Sequence, residues 1–153
     1  MVADGMTTID QVIPAQGYAG DVAPKTAWQI LEREKNAVLV DVRTTAEWNY
    51  VGAPDLRSLG KQNVLVEWQV YPTMQVNAGF ADALKAAGIA GDRPVLFLCR
   101  SGVRSKAAAQ AMTAAGMSRC YNIIDGFEGP PDQAGHRGAV AGWKASGLPW
   151  QQK

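Results

Sequence analysis

Cys99-Arg100-Ser101-Gly102-Val103-Arg104-Ser105 places a thiol, two guanidiniums, two hydroxyls and a glycine in one short stretch. The reactive form of cysteine is the thiolate, which forms where positive charge and hydrogen-bond donors surround the sulfur. Arg100 and Arg104 supply the charge, Gly102 gives the backbone freedom to turn, and the residues that follow read as a helix. The first N–H groups and the dipole of such a helix also favour an anion. The segment therefore predicts an activated nucleophile inside a cradle that would bind a small oxyanion. A free cysteine alone reads as a small buried hydrophobe. Two arginines and a glycine beside it serve no purpose in a core, and they decide for the cradle. Cys120, inside the apolar run Arg119-Cys120-Tyr121-Asn122-Ile123-Ile124, lacks that setting and reads as structural.

Alternating strands and helices must position these residues. Pro94-Val95-Leu96-Phe97-Leu98 reads as a buried strand and Ser101 to Gly116 as a helix, so Cys99 falls at the carboxyl end of a strand. Upstream, Lys25 to Asn36 shows a helical face at Ala27, Trp28 and Leu31, and Ala37 to Arg43 is an apolar strand ending in charges. A short helix capped by Thr44 or Thr45 carries Glu47 and Trp48 and stops at Gly52-Ala53-Pro54. Asn63 to Tyr71 predicts a strand, Asn77 to Ala87 a helix, Arg119 to Asp125 a strand, and Ala139 to Ser146 a last short helix. Residues 1–23 read as an extended arm or loop, and 24–150 as one domain. Continuous apolar strands between helices imply an α/β fold, its mostly parallel central sheet covered by helices on both faces.

Sites in such sheets lie beyond the carboxyl ends of the strands. Asp41 and Arg43, the Cys99 loop and Asp125-Gly126-Phe127-Glu128 all fall at such ends and are expected to converge. Asp41 follows an apolar run and wants a cationic partner, for which an arginine of the Cys99 loop is the expected candidate. Glu47 is expected to cap or pair locally, without a chemical role.

Composition excludes several classes. A net charge of +1, from 15 basic and 14 acidic residues, disfavours nucleic acid or an anionic membrane as partner. Two cysteines make no disulfide scaffold, no basic and apolar leader opens the chain, and no apolar stretch is long enough for a spanning helix, so a cytoplasmic location is expected. One histidine, His136, and no Cys/His pairs at ligand spacing argue against a metal site. The glycine spacings match neither a dinucleotide fingerprint nor a phosphate loop, and Trp48, Trp68 and Trp143 read as core or wall residues.

Three blocks give the chain a family likeness: Leu39-Val40-Asp41-Val42-Arg43 with Glu47-Trp48, the Cys99 to Ser105 loop, and Asp125-Gly126-Phe127-Glu128-Gly129 with Trp143 to Pro149. In order and spacing they resemble the single-domain rhodaneses, which are sulfurtransferases. The resemblance implies a rhodanese fold and a persulfide carried on Cys99. Sulfur would pass from a donor such as thiosulfate to cyanide or a thiol, a protein thiol included, in a ping-pong cycle without a cofactor, in a monomer. The chain departs from the family at Gly52-Ala53-Pro54, where Gly-His-Ile is common, and in the Gly129 to Gly138 segment near the site. Cysteine phosphatases and arsenate reductases also hold a thiolate in an oxyanion cradle, but with five residues between Cys and Arg. Here four separate Cys99 from Arg104, a loop too tight for phosphate and wide enough for a persulfide sulfur. A non-catalytic binding module is the third alternative, against which the retained cysteine and arginines weigh.

Overall fold

Val95-Leu96-Phe97-Leu98 is an uninterrupted apolar run, and in the computed structural model, which describes residues 11–152, it forms the middle strand of a parallel sheet. The chain runs β1 (Gly20–Val22), α1 (Pro24–Arg33), β2 (Val38–Asp41), α2 (Thr45–Tyr50) and β3 (Ala53–Pro54). After a 3-10 turn at Arg57–Leu59 come β4 (Val64–Leu65), β5 (Gln69–Val70), β6 (Gln75–Val76) and α3 (Phe80–Ala86). Then follow β7 (Val95–Leu98), α4 (Val103–Ala114), β8 (Cys120–Ile123) and β9 (Trp150–Gln151). The five-stranded sheet has the order β1-β8-β7-β2-β4, with every neighbouring pair parallel. Val38 lies opposite Val95 and Asp41 opposite Leu98, so the carboxyl ends of β2 and β7 are level.

Every residue of β2 and β7 is buried, as a parallel sheet covered on both faces requires. On one face Val40 and Phe97 pack with Phe80 and Leu84 of α3 and Ala108 and Met112 of α4. On the other, Leu39, Leu96 and Leu98 meet Ile30 and Leu31 of α1 together with Phe127 and Trp143. Each such side chain contributes about 1.5–3 kcal/mol by leaving water. Ala27, Ile30 and Leu31 share one stripe of α1 because of their three- and four-residue spacing.

The structure departs from the expected elements in five places. Residues 20–22, within the stretch read as an arm, form edge strand β1, too short to show a period; residues 1–10 of that stretch lie outside the described residues. The strand expected over Asn63 to Tyr71 ends at Leu65, and Gln69–Val70 instead pairs with Gln75–Val76 in a separate hairpin. The helix after Cys99 begins at Val103, because Gly102, at φ 109°, is turned out of helical geometry. Ala139 to Ser146 forms turns: Trp143 N–H and Lys144 N–H donate to Gly126 O and Phe127 O rather than within a helix. Trp150–Gln151, unforeseen, pairs with Ala53–Pro54.

The expected partner of Asp41 was also wrong. Asp41 and Arg43 are both 0% exposed and pair with each other, Nε to Oδ1 at 2.9 Å and Nη2 to Oδ2 at 2.7 Å. Residues two apart in extended chain share a face, which makes Arg43 the nearest cation, while Val40, Val42 and Cys99 belong to the opposite face. Arg43 also donates to Gly52 O at 2.7 Å and stacks over Phe127, its guanidinium carbon 4.4 Å from the ring centre. Replacing Arg43 by Leu strands a buried carboxylate and should destabilise the fold by about 3–5 kcal/mol in chemical denaturation.

Candidate active site

The loop Cys99–Gly102 leaves β7 and turns into α4, carrying its thiol with it. Cys99 is 1% exposed, and its Sγ accepts the Gly102 N–H at 3.1 Å. Ser105 Oγ lies 3.2 Å from the same sulfur. The sulfur is thus held by the loop's own backbone and by a hydroxyl one turn into the helix.

A second loop supports the first from behind. Phe127 N–H donates to Cys99 O at 2.8 Å, and Glu128 N–H donates to Arg100 O at 2.9 Å. Asp125, at φ 63°, and Gly126, at φ 58°, make the turn that brings these amides into reach. A side chain at Gly126 would meet Cys99 O and would stand 2.6 Å from Arg100 O, so the approach requires glycine. The Asp125-Gly126-Phe127-Glu128 block therefore converges on Cys99 through its backbone.

Arg104 faces α2. Its Nη1 and Nη2 donate to Glu47 Oε1 and Oε2 at 2.7 and 3.0 Å. Glu47 is in turn fixed by a capping box with Thr44, whose Oγ1 accepts the Glu47 N–H while its own N–H donates to Glu47 Oε1. Burial would raise the Glu47 carboxyl, but the Arg104 hydrogen bonds and charge, with help from Thr44, outweigh it and hold the group below its ordinary value. Burial likewise opposes charge on Arg104, yet Glu47, Cys99 and Asp41 together keep its guanidinium above its ordinary range. Glu47 is the site residue that sequence reasoning passed over; its place in a Thr44-x-x-Glu47 capping pattern was the visible signal, and its partner 57 residues away was not.

Thiol, loop and clamp open into one cavity of about 500 Å³. Cys99, Arg100, Ser101, Val103 and Arg104 line it on one side, with Thr44 and Glu47 beside them and Gln69, Tyr71 and Met74 of the β5–β6 hairpin opposite. Arg100 is exposed and Val103 is 76% exposed at the rim. Asp41 and Arg43 do not line this cavity; they bear on the loop through Phe127. His136 is exposed in the Gly129–Gly138 loop and is not among the lining residues. Cys120 is free and fully buried, and burial pushes its thiol up. Among the described residues no group of His, Cys, Asp and Glu is arranged to hold a metal ion, and no helix is long and apolar enough to cross a membrane.

A parallel α/β domain with a thiol-bearing loop at the end of its middle strand is a rhodanese-like fold. Residues 19–153 match the family described as STR4 middle domain, and the chain belongs to that family. An uncharacterized protein of Rickettsia conorii, RC0915, is 39% identical over 134 residues, covering 86% of this chain and 96% of that one. The thiosulfate sulfurtransferase GlpE of Actinobacillus succinogenes is 28% identical over 131 residues, covering 86% of this chain and 89% of that one. The crystal structure of Rv0390 from M. tuberculosis superposes with a TM-score of 0.81 at 51% identity, covering 89% of this chain and 99% of that one. The polysulfide-sulfur transferase homodimer of Wolinella succinogenes shares the fold, with a TM-score of 0.59 at 20% identity over 99% of this chain and 86% of that one. Sulfurtransferases thus stand among the distant relatives.

Two outcomes follow from the loop and its clamp. Gly126→Ala should destabilise the protein by more than about 2 kcal/mol in urea, since it combines a left-handed backbone with a clash against the Cys99 loop. A carboxyl held low stabilises the fold above its ordinary value of 4.5 and loses that effect as pH falls through the folded-state value. Glu47→Gln has no such group to protonate, so its melting temperature should fall less steeply than the parent's on acidification below 4.5.

Proposed function

We propose that the protein is a rhodanese-type sulfurtransferase with Cys99 as its nucleophile. The observation that carries this is the seat of the sulfur: Cys99 Sγ is bonded by the Gly102 N–H at 3.1 Å on a loop with only four residues before Arg104. That loop is sized for one additional sulfur atom rather than for a tetrahedral phosphate. The Cys99 thiolate attacks the outer sulfur of thiosulfate; a new S–S bond forms, and the old one breaks with its electron pair leaving on sulfite. The persulfide's terminal sulfur, now carrying the negative charge, lies in the loop among its N–H groups. A thiolate or cyanide then attacks that sulfur, and the Cys99 thiolate returns.

Roles divide by exposure and pairing. Arg100, exposed at the rim, meets the incoming dianion. Arg104, paired with Glu47, contributes field and shape from the wall. Ser101, Gly102 and Val103 form the cradle, and Ser105 contacts the sulfur from beneath. Asp41 and Arg43 hold Phe127, and with it the back of the loop. The cavity, at about 500 Å³, has room beyond a small donor anion for a thiol acceptor, small or protein-borne, along Tyr71 and Met74. The chemistry needs no cofactor.

Incubation with thiosulfate should add the mass of one sulfur atom to the peptide containing Cys99, removable by cyanide. Cys99→Ser should lose both the adduct and thiosulfate:cyanide transfer while keeping the fold. Phosphatase activity without an adduct, or full transfer by Cys99→Ser, would overturn the assignment.

A further inference from the structure

Behind the Cys99 loop, a single file of hydrogen bonds runs from the sulfur to the far edge of the sheet. Ser105 Oγ, 3.2 Å from Cys99 Sγ, donates to Asn122 Oδ1 of β8 at 2.6 Å. Asn122 Nδ2 donates to Asp21 Oδ1 of β1 at 3.0 Å. The Tyr18 hydroxyl donates to the same oxygen at 2.8 Å, and burial with the Asp21 contact pushes its titration up to about 12. Tyr18, Ser105 and Asn122 are 6%, 0% and 4% exposed, so the file is buried except at Asp21, which is half-buried.

The direction of the file is set at its distal end. A carboxylate only accepts, so Asn122 must turn its amide nitrogen toward Asp21 and its carbonyl toward Ser105. That carbonyl also only accepts, so the single Ser105 proton is committed to it. Ser105 is left with a lone pair to offer Cys99. A lone pair suits an S–H group, which can donate to it, and opposes the neutral inner sulfur of a persulfide less than it opposes a bare thiolate. For Ser105 to donate to the thiolate it would have to leave Asn122 Oδ1, a buried acceptor, unpaired.

We propose that Asn122 is a positioning residue: aligned by Asp21 and Tyr18, it fixes Ser105 as an acceptor toward Cys99 and so favours the sulfur-loaded cysteine over the free thiolate. The meaning of this bias within a cycle rests on the sulfurtransferase assignment; the hydrogen-bond polarity does not. Other charges bear on the thiol: Arg100 in its loop, Arg104 of α4 with Glu47 of α2, Asp41 with Arg43 at the end of β2, and Asp125 after β8. None of these is bonded to Asn122, whereas Asp21 is.

The test is the pH profile of Cys99 alkylation by iodoacetamide, followed by mass spectrometry of the Cys99 peptide with no sulfur donor present. Asn122→Leu frees the Ser105 proton for the thiolate and should move the midpoint down by about one pH unit. In a Ser105→Ala background the same substitution should move it no further. If Asn122→Leu does not fold by circular dichroism, Asp21→Asn, near-isosteric, releases the lock on the amide and serves in the same pair of backgrounds. Its downward shift should be larger with Ser105 present than absent. An unchanged or upward midpoint with Ser105 present, or a shift of equal size without it, would overturn the proposal. Because no donor is used, either result is independent of whether thiosulfate forms an adduct.

Discussion

The strand-end architecture depends on two backbone hydrogen bonds, Phe127 N–H to Cys99 O and Glu128 N–H to Arg100 O. Where β7 gives way to the loop, its carbonyls leave the sheet ladder and need other donors. The turn at Asp125 and Gly126 supplies those partners and fixes the height at which Cys99 leaves the sheet. Phe127 then fills the space beneath, where Arg43 stacks on it and Asp41 holds Arg43. Three segments far apart in sequence thus share one support.

Charge is arranged economically around the thiol. Both arginines anticipated as anion binders lie at the cavity, but only Arg100 is exposed there; Arg104 spends its donors on Glu47. A partly buried guanidinium paired with a carboxylate contributes shape and a residual field rather than a free positive charge. The backbone amide of Gly102 is the donor that touches sulfur directly. Such fixed dipoles need no counterion and do not reorganise as charge develops beside them.

The legibility of the sequence followed the range of each interaction. The strand, loop and helix around Cys99 were readable because apolar period, glycine and arginines all lie within one short segment. The pairing of Asp41 was misassigned although its partner sits two residues away, since local strand geometry was outweighed by the expectation of convergence. Glu47 and Asn122 were not placed in the site because their partners, Arg104 and Ser105, are distant in sequence. Asn122 did leave a trace: a polar residue within the apolar run Cys120–Ile123 must find a partner once buried. Strands β1, β3, β6 and β9, of two or three residues, carry too little pattern to be seen without the neighbours that pair with them.

The hairpin opposite Cys99 is paired only within itself, Gln69 with Val76 and Val70 with Gln75, and forms a sheet apart from the central one. Its tip bears Tyr71 and Met74, which face the cavity and belong to neither core cluster. This wall of the cavity is therefore built from residues outside both core clusters. Such a division lets one wall be exchanged, residue by residue or as a whole insertion, while the side that carries Cys99 stays as it is.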